Sequence, residues 1–541
     1  MLGKKVIYGF CMAVLLCAQI MVAADSPLAD AAMRGDKAAV QSLLKQKVDV
    51  NAAQGDGSSA LHWAAYRDDV DMARLLIAAG ANMTAKTRLG NITPLFMAAK
   101  NGSAPLLKLM LDAKADVNTT DANGTTPLML AAASGNADAV KLLLDRGADV
   151  NARDITNGQT AVMFAAAAGR VEVIKALNAR GADVNVITKV SPIISMNERY
   201  KQASEGKGTR GITSEGGRSD VAAMGGMTAL HFAAREGQLD ALRELVAGGA
   251  DVNKVSTNDG MSPLVSAIIN GHFDAARFLL EHGANPKLAT KGGLAPLYAT
   301  IDAQWPERTW YPPPSVTEEK TTHVELLKTL IDKGADPNVR LGKKLWFRTF
   351  HGDWIAPEGA TAFWLAAKAN DVPAMKILIA GGANPTIKST AGASPLQAAA
   401  GFGIEPQVTN FAPDARLAAV RYLVEECGAD VNSKDNQGYT PLHGAALTAN
   451  HNLINYLVAM GADVKAKAKN VFGGVGESDK EVQGEVGDTV ADMANGPRPH
   501  NMQFPETTKF LESLGSENSN YCRYSTCVIN TLADPKKKGK Q

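Results

Sequence analysis

The sequence has almost no net charge. Its 56 lysines and arginines face 55 aspartates and glutamates over 541 residues, a formal balance of +1. Without residues 1–24, which hold Lys4 and Lys5 and no acid, the balance is −1. A near-neutral chain has no field with which to hold a polyanion, so no nucleic-acid partner is expected. The end from Lys536 to Lys540 is too short to change that and reads as a solvated tail. Cysteine is scarce, at five residues, and aromatics make up 6%. Beyond the run Val6 to Val22, no stretch is long enough to span a bilayer. No nucleophile motif, phosphate loop or metal-spaced set of His and Cys occurs, so no catalytic residue, cofactor or metal is expected.

The N-terminus combines Lys4 and Lys5, the apolar run, and the small residues Val22-Ala23-Ala24 before Asp25. That is the pattern of a secretory signal peptide over residues 1–24. It predicts an exported chain, periplasmic or secreted, with no membrane span after cleavage. An uncleaved anchor is the other reading of a run this long. Cys11 and Cys17 fall in this segment, leaving Cys427, Cys522 and Cys527. In an exported protein "NYCRYSTC" predicts a Cys522–Cys527 disulfide. It lacks the His of a haem site and the further ligands of a zinc site. Cys427 precedes a helix-ending Gly, in a slot that other segments fill with Ala79, Arg146, His282, Lys333 or Met460. That slot predicts a half-exposed, inert thiol.

What the chain does have is self-similarity. "TTPLMLAAASGNADAVKLLLDRGADVNARD" (Thr125 to Asp154) recurs as "MTALHFAAREGQLDALRELVAGGADVNKVS" from Met227 and as "YTPLHGAALTANHNLINYLVAMGADVKAKA" from Tyr439. Thr or Ser before Pro is a natural N-cap with Pro at the first helical position. Ala-Ala allows close helix approach, and "VKLLL" supplies the apolar stripe of a second helix. Gly then ends that helix, and Asp and Asn form the turn. One such unit cannot bury its apolar face alone; stacked neighbours bury it. With its T-P-L-H-x-A-A start, G-A-D-x-N end and 33-residue period, the pattern resembles the ankyrin repeat.

Two anchors locate each unit. The Pro slot falls at Pro27, Ala60, Pro94, Pro127, Ala161, Ala229, Pro263, Pro296, Ala362, Pro395, Pro441 and Val490. The end-motif Asp or Asn lies 22 residues on in nine of eleven complete units. The twelfth, from about Gly487, is degraded and reads as a C-terminal cap. The expectation is therefore an all-α ankyrin solenoid of about 12 helix-turn-helix repeats over residues 25–515, with short β-hairpin fingers. Departures from the spacing place insertions at about 187–224, 303–322, 341–358, 401–414 and 466–486. The segment 516–541 is a basic tail carrying the two cysteines.

His62, His231 and His443 share the fourth slot of the start motif. Their recurrence at one structural position argues against ligands or bases, and the resemblance implies hydrogen bonds between neighbouring turns. His351 and Asp353 lie in an insertion and could orient a general base. They carry the alternative reading, a secreted effector or enzyme.

The scarce aromatics are concentrated. Of six Trp, four lie in two successive insertions within 50 residues: Trp305, Trp310, Trp346 and Trp354. Tyr311, Phe347 and Phe350 join them, and Pro312-Pro313-Pro314 stiffens the first insertion. Trp and Tyr dominate binding hot spots. These seven aromatics therefore form one candidate site for a protein partner; the other reading is that they pack on the stack and anchor long loops. The resemblance implies a concave face of fingers and first helices that grips a partner. The predicted function is a non-catalytic, exported bacterial scaffold for protein binding. A structural envelope protein is a third reading.

Overall fold

The computed structural model describes residues 26–192, 223–306, 314, 316–343, 345, 357–402, 415–469, 487–494 and 504–518. These residues fold into twelve helix–turn–helix pairs. The first six are α1 Pro27–Arg34 with α2 Lys37–Lys45, α3 Ala60–Tyr66 with α4 Val70–Ala78, α5 Pro94–Asn101 with α6 Ala104–Asp112, α7 Pro127–Ser134 with α8 Ala137–Asp145, α9 Ala161–Ala167 with α10 Val171–Asn178, and α11 Ala229–Arg235 with α12 Leu239–Ala247. The second six are α13 Pro263–Ile269 with α14 Phe273–Glu281, α15 Pro296–Gln304 with α16 His323–Asp332, α17 Ala362–Lys368 with α18 Val372–Ala380, α19 Pro395–Ala399 with α20 Arg416–Arg421, α21 Pro441–Leu447 with α22 His451–Ala459, and α23 Val490–Ala494 with α24 Pro505–Ser513. Each first helix begins at its Pro-slot residue.

The chain divides into two compact units. The first holds residues up to 190 together with 225–251, and the second holds 191–224 and 252 onward. Each contains six pairs. In the first unit α1, α3, α5, α7, α9 and α11 pack in series; in the second, α13, α15, α17, α19, α21 and α23 do so. The Ala-Ala pairs between them, such as Ala64-Ala65 and Ala366-Ala367, have no exposed surface. A side chain larger than Ala there would force the helices apart.

Local chemistry sets the helix limits. Asp36, Asp69, Asn136, Asp371 and Asn450 cap their second helices, each accepting the N–H three residues on at 2.9–3.1 Å. Gly147 ends α8 at φ 86, which lets the Ala148 N–H reach back to Leu143 O. Such a left-handed residue is strained with a side chain but not as Gly.

Two sets of side chains stitch neighbouring repeats. The Asn of the end motif is the first. Asn151 donates to Gly181 O at 3.2 Å and accepts from Asp183 N–H at 2.9 Å. Asn51, Asn118, Asn253 and Asn432 repeat this bond pair. Asn185 does so across the longest insertion, reaching Gly249 O at 3.0 Å and Asp251 N–H at 2.8 Å. Asn338 does the same to Gly382 O and Asn384 N–H across another. The insertions leave the stack without interrupting it.

The fourth slot of the start motif is the second stitch. A backbone N–H, from Ser59, points at His62 Nδ1, so that nitrogen accepts and Nε2 carries the proton that reaches Ile92 O at 2.9 Å. His443 is held the same way by Thr440 and faces Asp488 O at 3.4 Å. Trp364 and Gln397 occupy this slot in their repeats and donate to Ala393 O at 3.0 Å and Tyr439 O at 2.7 Å. Three unlike side chains thus make one bond.

The fingers carry less strand than expected. Among the described residues the only ladder is Ser191–Pro192 against Ala223–Met224, with isolated bridges at Ala53–Ser59 and Lys467–Thr489. The fingers are tight turns instead, and single backbone bonds link successive ones: Arg88 N–H to Asp56 O, Ala122 to Gly90, Ile155 to Asn123 and Lys189 to Asn157. A second departure lies in α20. The spacing assigns every added residue of its repeat to the loop, yet Tyr422–Glu426 continues α20 as a π-helical turn with Cys427 N–H on Tyr422 O. One surplus residue in a helix produces that geometry.

Candidate functional site

Of the seven aromatics predicted to bind, the structure describes Trp305. Trp310, Tyr311, Trp346, Phe347, Phe350 and Trp354 lie outside the described residues, as do His351, Asp353, Cys522, Cys527 and residues 1–24. Trp305 ends α15, is half-buried, and donates its indole N–H to Asp371 Oδ2 at 2.8 Å. His323 Nε2 meets the same oxygen at 2.8 Å, with its ring edge-on to the indole. Asp371 Oδ1 meanwhile caps α18. Burial opposes the charge on Asp371, but these donors outweigh it and hold the carboxyl below the usual range.

The other end of the same insertion is tied backward. Glu319 accepts the Asp274 N–H at 2.7 Å, while Asp274 accepts from Lys320 N–H and from the Thr321 N–H and hydroxyl. Trp305 is therefore held by the repeat after its own, and Glu319 to Thr321 by the repeat before it.

A different aromatic set lies open. The start motif T-P-L-H-x-A-A has one unconstrained position, x, three residues after the Pro slot. In the first unit that position holds Asp30, Trp63, Met97, Leu130, Phe164 and Phe232. Successive first helices carry one each, so the five apolar residues form a row. Trp63, Met97, Leu130 and Phe164 are half-buried, and Phe232 is nearly covered beneath the Arg235 guanidinium at 5.1 Å. One turn on, Met33 and Tyr66 stand exposed beside the row, the Tyr66 ring edge-on to Trp63 at 5.8 Å. The Trp63 N–H is bound to Gln54 Oε1, which fixes the ring.

The second unit fills the same position with Ser266, Ala299, Leu365, Ala398, Gly444 and Met493. All but Leu365 are buried. At Gly444 the cover is visible: a Cβ there would stand 2.6 Å from Phe402 N, because the start of the inserted segment lies on that helix. The Phe402 ring also lies against that of Tyr439, tilted by 33° at 4.8 Å. The turn Lys368-Ala369-Asn370-Asp371 is buried throughout, whereas Tyr66-Arg67-Asp68 at the same place in an earlier repeat is exposed. In the second unit this position is buried in five of six repeats, with Phe402 lying on it at Gly444, whereas Trp63, Met97, Leu130 and Phe164 of the first unit keep part of their surface exposed.

The row was readable as one motif slot, but the slot is free in the fold, and only exposure separates a binding residue from packing. Among the described residues no three His, Cys, Asp or Glu side chains group to hold a metal, and no helix is long and apolar enough to cross a membrane. Cys427 is a half-buried thiol there, pushed up by burial.

The chain matches the family models described as ankyrin repeats, three copies, at residues 95–188, 211–290 and 363–468, and ankyrin repeats, many copies, at 28–77 and 62–111. It is similar to the E3 ubiquitin-protein ligase KEG of Arabidopsis thaliana, at 26% identity over 42% of this chain and 14% of that protein. It is similar to the human transient receptor potential cation channel subfamily A member 1, at 24% identity over 43% of this chain and 18% of that one. Protein PhlB of Serratia liquefaciens matches at 45% identity over 16% of this chain and 37% of its own length. The chain thus spans a small part of each relative. Repeats of this kind generally mediate protein–protein interaction. With matched models over more than half its length and the stacked helix pairs they describe, the chain belongs to the ankyrin-repeat family.

Proposed function

We propose that this chain is a non-catalytic scaffold that binds a protein partner along the first-helix face of residues 26–190 and 225–251. One observation carries the reading: the motif position that the fold leaves unconstrained is filled there by Trp63, Met97, Leu130, Phe164 and Phe232 in succession. Large apolar side chains in a partly exposed row, with Met33 and Tyr66 exposed beside it, mark an interaction surface. A fixed Trp with a neighbouring Tyr is the residue chemistry of a hot spot. Four of the six repeats in the second unit use Ser266, Ala299, Ala398 or Gly444 at the same position, so the fold does not require bulk there.

Export belongs to the same proposal, with residues 1–24 removed and the scaffold working in the periplasm or outside the cell. The charged start, apolar run and small residues before Asp25 support it. N-terminal sequencing of the mature protein gives Asp25 first on this reading; an intact Met1 contradicts it.

The binding reading is tested by affinity capture from an extract of the producing cells. The baits are the chain from Asp25 and the same chain with Trp63, Leu130 and Phe164 changed to Ala, its helical signal checked. A partner held by the first and lost by the second supports the proposal. Equal retention overturns it. A third bait with Trp305, Trp310, Trp346 and Trp354 changed to Ala measures what the inserted aromatics contribute.

A further inference from the structure

Resting on that reading, we infer that the partner presents an amphipathic α-helix, apolar on one side and carrying carboxylates on its flanks. Two features of the face point to this occupant.

The first is spacing. The row offers one large apolar side chain per repeat, and helices packed side by side stand roughly 8–10 Å apart. Seven residues of an α-helix rise about 10.5 Å and return to the same face. A helix laid along the row therefore meets each of Trp63, Met97, Leu130 and Phe164 with an equivalent residue and reaches Phe232 beneath the Arg235 guanidinium. An extended strand does not match. Three residues cover about 10 Å, but the third neighbour points to the opposite side. Five positions span roughly 32–40 Å, the length of a helix of about 28 residues at most.

The second is charge. Arg34 and Lys100 flank the row at the turn edge, and Arg88 and Lys189 at the finger tips. All four are exposed, and none has a carboxylate partner among the described residues. The finger acids are directed at donors of their own turns rather than at these cations. Asp56 accepts from Ser58 N–H and hydroxyl, Asp121 from Asn123 and Thr125 N–H, and Asp154 from the Thr156, Asn157 and Gln159 N–H groups. Asp30 is bound by the Gln54 amide, and the exposed acids beside the row are Asp68 and Glu236, the latter paired with Arg235. Both edges thus offer unpaired cations to a helix whose flanks are acidic.

The test uses the chain from Asp25 and three labelled peptides of about 28 residues, read by fluorescence anisotropy. One has Leu at two positions per heptad with Glu on the flanks. The second replaces each Glu with Lys. The third keeps the acidic composition but alternates Leu and Glu. The acidic heptad peptide is expected to bind about tenfold or more tighter than either other peptide, and to weaken as salt rises. The substitutions Trp63→Ala, Leu130→Ala and Phe164→Ala together should remove that binding. Equal or tighter binding of the Lys peptide or the alternating peptide overturns the inference, as does no binding by any peptide. Those outcomes leave the face itself to the capture experiment. Binding of the acidic heptad peptide that survives the three substitutions overturns both.

Discussion

Trp305 and Asp371 lie 66 residues apart in sequence and 2.8 Å apart in the fold, joined by the indole N–H. His323 shares that carboxylate oxygen, so one buried acid anchors both ends of an inserted segment. Such a bond to a charged group contributes about 1.5–3 kcal/mol. Trp305→Phe should lower stability by about that amount in chemical denaturation. Asp371→Asn can still cap α18, but its amide N–H would oppose two other donors, so a loss at least as large is expected. The wild-type carboxyl is held low. Its contribution is therefore complete above the ordinary carboxylate range and lost as pH falls through the lower folded value. The Asn variant should lack that acid limb, and an unchanged limb would contradict the assignment.

His443 gives a second pH dependence. Burial pushes its imidazole down to about 4. An unfolded His protonates near 6.5, so the stabilisation is complete above about 6.5 and is lost as pH falls toward the folded value. Gln397 makes the same inter-repeat bond with no titrating group. His443→Gln should therefore keep neutral-pH stability and flatten the loss between pH 6.5 and about 4. Equal acid sensitivity in both proteins would show that His443 is not the group responsible.

Asn185 closes the stack across the longest insertion through two bonds, to Gly249 and Asp251. Asn185→Ala should cost about 1–2 kcal/mol. The insertion itself should be dispensable. Pro192 pairs with Ala223, so replacing residues 193–222 by Asn-Gly joins two chain ends already side by side. Thermal melting of this shortened protein should match the full chain within a few degrees. A collapse of the helical signal would mean the insertion builds part of the core.

The unconstrained motif position gives opposite outcomes in the two units. Gly444→Ala puts a Cβ 2.6 Å from a backbone nitrogen of Phe402, which cannot be relieved by a side-chain rotation. It should destabilise by about 1–3 kcal/mol, as overpacking does. Leu130→Ala at the same position is half-exposed and should cost less than the 2–5 kcal/mol of a fully buried Leu. Denaturation midpoints of the two variants compare these directly.

The repeats themselves were legible because their signals are local. Within the recurrent motif Pro and its preceding Thr or Ser mark a helix start, and all twelve first helices begin at the anticipated residues. The stitches were half legible. The histidines pointed to the fourth slot, but Trp364 and Gln397 share no sequence signal with them beyond position. The role of Trp305 was not legible, because residue type cannot tell a ring that binds from one that anchors. Its partner Asp371 lies in the next repeat, and only the fold brings them together. The row from Trp63 to Phe232 was hidden for the converse reason. Apolar residues on a helix read as core, and nothing local states that a face has been left uncovered.

The most direct measurement places a photo-crosslinking residue at Met97, Leu130 or Phe164, and in a second set at Lys108, Lys141 or Lys175 on the second helices, exposed or half-exposed away from the row. Each protein is irradiated in an extract of the producing cells. The account predicts that the first set joins one common partner and the second set does not. Crosslinks to that partner from the second set alone, or equally from both, would contradict binding on the first-helix face.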